Sequence, residues 1–237
     1  MQRFWEIDFW RGLAVIGMLI FNWSFTLHFL NIFKFQGGWL YWFLFPHLVA
    51  GSFVFIAGLS LYISHTRRKD TKRVFARGLT VFSLGMLITL ATLFLIPQYA
   101  VWFGILHLIG LSIILSHIFY RFGRKNIIIG LAIVVAGAML HTMRFEFPWL
   151  FWLGFIPADL SSLDYEPLLP WFGFFLMGMG FGEKFYKGSR RAFKIRDMSK
   201  RTFVKSISLL GRNSLTIYIL HQPLFLAFLY ILRVVFS

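Results

Sequence analysis

Seven apolar runs leave this chain little freedom: about 9–31, 39–65, 74–96, 101–120, 126–143, 166–183 and 206–236. Each approaches or exceeds the ~20 residues that a helix needs to cross a hydrocarbon core. In lipid the backbone must satisfy its own hydrogen bonds, so runs of this kind become helices. The sequence therefore predicts an all-α, polytopic membrane helix bundle with about seven transmembrane helices. Residues 1–237 are expected to form one transmembrane domain, with no room for a separate soluble one. Charged residues are 14% of the 237, against about 25% in an average soluble domain. The 31 Phe and 9 Trp suit lipid-facing and interfacial positions. The first run is too long for the h-region of a signal peptide and is expected to be retained.

The net charge is +15. It does not point to nucleic acid, because the basic residues fall in short loops between apolar runs. Of the 24 Lys and Arg, 21 lie at the N-terminus, in the 65–77 and 121–125 loops and in the 184–212 region. Only Lys34, Arg144 and Arg233 fall on the other side. The positive-inside rule then predicts a cytoplasmic N-terminus and a multi-pass protein of the plasma or inner membrane. The lipid bilayer is its first partner, and a homodimer is compatible with the sequence. There is no Cys, which excludes a disulfide framework, a thiolate metal site and a cysteine nucleophile.

Several features concern local structure. Pro46 divides the second run into an interfacial piece and a helix from His47. Gly211 separates an amphipathic lead-in from the last crossing, which Pro223 should kink. Small residues recur at Ala50 and Ala57, Gly51 and Gly58, Gly78 and Gly85, and in Gly178-x-x-x-Gly182, as packing faces.

Polar groups at membrane depth are costly, and each is a site hypothesis. On the first helix Arg11, Met18 and Asn22 share one face, since eleven steps of about 100° make about three turns. Asn22 lies roughly 16 Å deeper than Arg11. A cationic mouth and a mid-depth amide on one stripe suit an elongated anionic ligand. Arg3, Arg11, Arg67, Arg68 and Arg212 are candidates for binding its phosphates. His107 and His221 lie at depth on other helices and are expected to join Asn22 in one buried cluster. His28 and His47 flank the first outer loop, and any of these four histidines is a candidate general base. His47 is expected at a helix N-terminus, whose partial positive charge would keep it neutral. Asp164 either caps the sixth helix or offers an acid at an outer cleft. Paired histidines also hold haem, but no same-helix pair has the spacing for two stacked haems. Neither haem nor metal is expected.

Taken together, the blocks resemble a known family. Arg3, Ile7-Asp8, Arg11-Gly12, Met18 and Asn22 are similar to the first block of the heparan-α-glucosaminide N-acetyltransferase family. Phe53 to Gly58, Gly104 to Gly110, Asp164 to Gly182, and Gly211 to Gln222 with Asn213, Tyr218 and His221 resemble later blocks in the same order. His107 stands where the lysosomal enzyme has Gln. The resemblance implies a transmembrane acyltransferase. Acetyl-CoA, as co-substrate, would enter from the cytoplasm, and its acetyl group would pass to an amino sugar, other glycan or small acceptor on the far side. Asp8 and Asn213 fall in the same blocks and join the expected cofactor end. Asn22 would polarise the thioester carbonyl. The lysosomal enzyme carries its catalytic histidine in the first outer loop. Here Asn31 to Gly38 has none, and His28 and His47 bracket it. The alternative from another class is a transporter or flippase for a sugar or lipid carrier, using the same polar groups as a binding site. The lack of an internal repeat argues against it.

Overall fold

A computed structural model of the chain describes residues 4–68, 70–187 and 190–232. Among them are eight α-helices: α1 Trp5–Phe29, α2 Phe45–Arg68, α3 Thr71–Leu95, α4 Ile105–Phe119, α5 Asn126–Leu140, α6 Leu168–Phe185, α7 Thr202–Arg212 and α8 Ser214–Ile231. No strand forms among the described residues. Five helical segments are long and apolar enough to cross a membrane. One of these, Ile105–Leu140, contains both α4 and α5, which a 3-10 segment at Tyr120–Lys125 separates. Gly123 makes that break with a φ of 50°, a region that favours glycine. With α6 added, each of the seven expected runs is represented by a helix. The chain is an all-α membrane protein.

The helices sort into two compact units. One comprises residues up to Phe53 and from Ile195 onward; the other is Val54–Lys194. In the first, α1 packs on α7 and α8. In the second, α3 packs on α4 and α5 on α6. The small-residue faces do the expected work there. Gly58 meets the backbone of Phe175, Gly178 meets that of Phe55, and Gly78 and Gly85 face α4.

Four local expectations change. First, α1 starts at Trp5, ahead of the expected run, so Glu6 and Asp8 ride on the helix together with Arg11. Two acidic residues in the first turn suit the positive end of the helix. Second, Pro46 does not start a helix. A π-helix at Leu40–Leu44 runs directly into α2. The Phe45 N–H bonds back to the Leu40 carbonyl, five residues earlier. This wider turn accommodates a proline that has no N–H to donate. Third, α4 and α5 have only 15 residues each. Before α4, Tyr99, Ala100 and Phe103 find hydrogen-bond partners in Leu163, Ser162 and Glu166 instead of within a helix. Fourth, the final run divides at Asn213, next to the expected Gly211. The lead-in α7 is amphipathic, with Val204, Ile207, Ser208 and Gly211 buried along one stripe.

Candidate active site

The first unit carries a chain of polar contacts along α1. At its cationic end two glycines set the geometry. Gly12 of α1 faces the Ile207 carbonyl, and Gly211 of α7 faces the Asp8 carbonyl. A Cβ at either position would strike backbone. The close approach delivers Arg212, the next residue, onto Asp8. Arg212 Nε donates to Asp8 Oδ2 at 3.1 Å, and Arg11 Nη1 lies 3.6 Å from Asp8 Oδ1. One buried carboxylate thus holds two guanidinium groups on different helices. The Arg212 side chain stays 44% exposed.

About four turns further along α1, Asn22 Nδ2 meets His221 Nε2 of α8 at 3.2 Å. The proton positions follow from the partners. His221 Nδ1 faces the Tyr218 carbonyl at 2.7 Å and must donate to it. Its Nε2 is therefore the lone-pair nitrogen, and Asn22 presents its NH2 group. The imidazole is neutral, and its backbone bond fixes the tautomer. The next turn repeats the connection. The Thr26 hydroxyl donates to the Asn22 carbonyl at 2.8 Å and accepts from Gln222 Nε2 at 2.5 Å. Trp23 stacks on Phe225 with ring centroids 5.0 Å apart. The pairs 8–212, 22–221 and 26–222 show that α8 runs in the same direction as α1. On the other flank Tyr41 donates to Ser24 at 2.6 Å, tying the π-helix to α1. His221, Thr26 and Ser24 are buried.

The structure joins Asn22 and His221 but gives His107 partners of its own. His107 belongs to the second unit. The Gly104 N–H donates to its Nδ1 at 3.2 Å, and its Nε2 lies 3.3 Å from Thr89 Oγ1. The Thr89 proton is already given to the Val101 carbonyl, so Nε2 donates to Thr89. Both ring nitrogens are committed, and Gly85 lies against the ring face. These bonds tie the His107 ring to the start of α4 and to α3.

His28 is exposed and packs on Trp42, 4.8 Å between ring centroids. His47 is also exposed. The expected N-terminal charge is missing at His47, because the helix begins upstream with the π-helix. Its Nδ1 instead bonds the Phe43 carbonyl at 2.6 Å. Asp164 is corrected too. Its Oδ2 accepts the Ile105 N–H at 3.2 Å, capping α4 rather than the sixth helix. A cavity of about 370 Å³ nearby is lined by Asp159 with Gln98, Trp102 and Ser161. Glu166, two residues before α6, is half-buried as a residue while its carboxyl is enclosed by protein. That enclosure pushes its pKa well above the usual carboxylate range, and the nearby Asp164 adds to the effect. A hydrogen bond from Trp171 acts the other way.

At the Asp8–Arg212 end, Asn213 turns its Nδ2 to the Leu209 carbonyl at 2.9 Å, at the junction between α7 and α8. Arg67 lies in the last turn of α2. Arg3 and the Arg68 side chain lie outside the described residues. Sequence reasoning missed Thr26, Ser24, Tyr41 and Gln222 as members of the site. The available signal was position: Thr26 is one helical turn from Asn22, and Gln222 follows His221.

The fold and this site define an integral membrane protein with a buried histidine of α8 paired to an amide of α1. The sequence model described as "Heparan-alpha-glucosaminide N-acetyltransferase, catalytic" matches residues 3–223. The chain belongs to this transferase family. Comparisons with curated proteins and with solved structures return no match.

Proposed function

We propose that the protein is an acyl-CoA-dependent acyltransferase that uses acetyl-CoA from the cytoplasm and acylates a glycan or small acceptor on the other side of the membrane. The observation that carries this reading is the pair of contacts made by α1, Asp8 with Arg212 of α7 and Asn22 with His221 of α8. The first gathers two guanidinium groups suited to phosphate. The second holds a neutral imidazole with its lone pair presented. Arg11 and Asn22 are separated by about 16 Å along α1. An acyl-CoA has the matching layout, with phosphates at one end and a thioester at the end of a long arm.

His221 is the general base in this mechanism. Its Nδ1 proton is held by the Tyr218 carbonyl, so Nε2 is free to accept a proton. In the resting site that lone pair rests on Asn22. An incoming acceptor group replaces Asn22 as the donor to Nε2. The Asn22 amide is then released to donate to the thioester carbonyl oxygen, where negative charge develops. The acceptor attacks the acyl carbon, the C–S bond breaks, and His221 returns its proton to the departing sulfur. Thr26 steadies Asn22 through its backbone carbonyl.

The test is thermal unfolding of the purified protein with acetyl-CoA. At about 100 times Kd, a ligand adds about 2.7 kcal/mol to stability. Arg11→Ala and Asn22→Ala are expected to reduce that gain. No stabilisation by any acyl-CoA would contradict the proposal.

A further inference from the structure

We propose that the cavity lined by Asp159 and Trp102 binds one saccharide ring and favours a cationic amino sugar over an acidic one. Its walls come from Gln98 and Trp102, between α3 and α4, and from Pro148, Pro157, Asp159 and Ser161, in the segment before α6. All of them belong to the second unit, and none takes part in the chemistry proposed above. About 370 Å³ is open there. That is at the small end of ligand pockets, which run from about 300 to 1,000 Å³, and suits a single ring rather than an extended chain.

The local fold shows which groups are left for a ligand. Two neighbours are spent on structure. Ser162 Oγ donates to the Ala100 carbonyl at 2.9 Å and accepts the Trp102 N–H. Asp164 caps α4 through Ile105. The side chains of Gln98, Asp159 and Ser161, by contrast, are exposed and make no hydrogen bond or ion pair with another described residue. Trp102 is 40% exposed.

The frame around these side chains is set in advance. The Leu163 and Glu166 N–H groups donate to the Tyr99 and Phe103 carbonyls at 3.3 and 2.9 Å, and the Phe145 N–H donates to the Ile156 carbonyl at 3.1 Å. Turns fix both proline edges, with the Phe151 N–H on the Pro148 carbonyl and the Leu160 N–H on the Pro157 carbonyl. The Tyr165 hydroxyl donates to the Phe151 carbonyl at 2.7 Å and ties the segment together. A cavity held in this way asks little ordering of a ligand.

The chemistry of the wall selects the occupant. An exposed indole by itself is an ordinary interfacial anchor. A carboxylate, an amide and a hydroxyl around the same cavity do not suit an acyl chain. They suit a ring with apolar faces and a polar rim, its face on Trp102 and the prolines and its hydroxyls on Asp159, Gln98 and Ser161. Asp159 is the only charged residue in the described wall. Arg144, the one Lys or Arg in residues 141–167, turns its Nη1 to the His141 and Met143 carbonyls. An ammonium on the sugar gains Asp159 as a partner, whereas a carboxylate meets repulsion. The cavity also lies at the end of α3 opposite the basic 65–77 loop. In the topology expected from the loop charges, that end faces away from the cytoplasm, where external sugars arrive.

The experiment is saturation-transfer NMR on the full chain in phosphatidylcholine nanodiscs, without acyl-CoA, at a pH where the amine is protonated. The ligands are methyl 2-amino-2-deoxy-α-D-glucopyranoside, methyl α-D-glucopyranoside and methyl α-D-glucopyranosiduronate. Affinity is expected to fall in that order, by at least about tenfold from first to last. Trp102→Ala should weaken all three by about tenfold. Asp159→Asn should bring the amino and neutral sugars within about threefold of each other. Unchanged melting temperatures show that both variants are folded. Wild-type affinity in both variants would overturn the inference, as would a uronate bound as tightly as the amino sugar or no binding of any of the three by the wild-type protein. Because no acyl-CoA is present, each of these results leaves the acyl-transfer proposal to its own test.

Discussion

Asn22 and His221, 199 positions apart in sequence, meet at 3.2 Å with the proton on the amide side. Nothing in either helix alone requires this. It follows from α1 and α8 running in the same direction, pinned at one end by Asp8–Arg212 and beyond the pair by Thr26–Gln222. In the proposed reaction the pair would supply both a base and a donor for the carbonyl oxygen, joined in one hydrogen bond that the substrates separate.

Removing the amide should affect the chemical step. Asn22→Ala is expected to lower kcat by about 10²–10³, the usual cost of one oxyanion donor. CoA thiol release measures this without background, because the chain has no cysteine. A kcat within threefold or so of wild type would remove Asn22 from that role.

Asp8→Asn should act at the other end. It leaves Arg212 and Arg11 without their shared carboxylate. The expected loss of stability is about 1 kcal/mol, below that for a fully buried pair because the Arg212 side chain is 44% exposed. The apparent affinity for acetyl-CoA should fall as the two guanidinium groups lose their alignment. Thermal unfolding with and without acetyl-CoA reads both effects.

His107→Leu separates structure from chemistry. It strands the Gly104 N–H and the Thr89 hydroxyl oxygen in a buried place, at about 1–3 kcal/mol each. His107→Gln, which can both accept and donate, should recover much of that loss. Turnover per folded molecule should change by less than about threefold in either variant. A large drop in turnover with normal stability would give His107 a part in the chemistry.

These residues also show what the sequence could convey. Asn22, His107 and His221 stood out because each is polar within an apolar run, and that is how membrane-depth polarity is recognised. Sequence could not tell which were neighbours, because helix contacts depend on glycine approaches such as Gly12–Ile207 and Gly85–His107. The division of the last run was legible in the amphipathic pattern of Val204, Ile207 and Gly211. The π-helix at Leu40–Leu44 was not, since Pro46 reads equally well as a break. Asp164 was placed beside α6 by sequence proximity, yet its carboxylate accepts from Ile105, 59 residues away. Gln222 was marked only as the end of a family block, and Thr26 passed unmarked, because each is ordinary alone and gains its meaning only from the bond between them.

Glu166 predicts a pH dependence of stability. Its pKa is raised in the folded protein, mainly by burial, above the ordinary value of the unfolded chain. The folded state therefore favours the protonated carboxyl. This contribution is complete below the ordinary carboxylate range and is lost as pH rises through the raised value. Melting temperature should fall across that window in wild type, and Glu166→Gln should flatten the fall. A parallel curve for the variant would assign the dependence to another group.

The most direct test of the central claim is the rate of CoA thiol release from acetyl-CoA by His221→Ala, set against its stabilisation by acetyl-CoA. The account predicts a fall in turnover of about 10²–10⁴, the usual contribution of a general base, with the acetyl-CoA-dependent rise in melting temperature retained. Turnover by His221→Ala at the wild-type rate would contradict it.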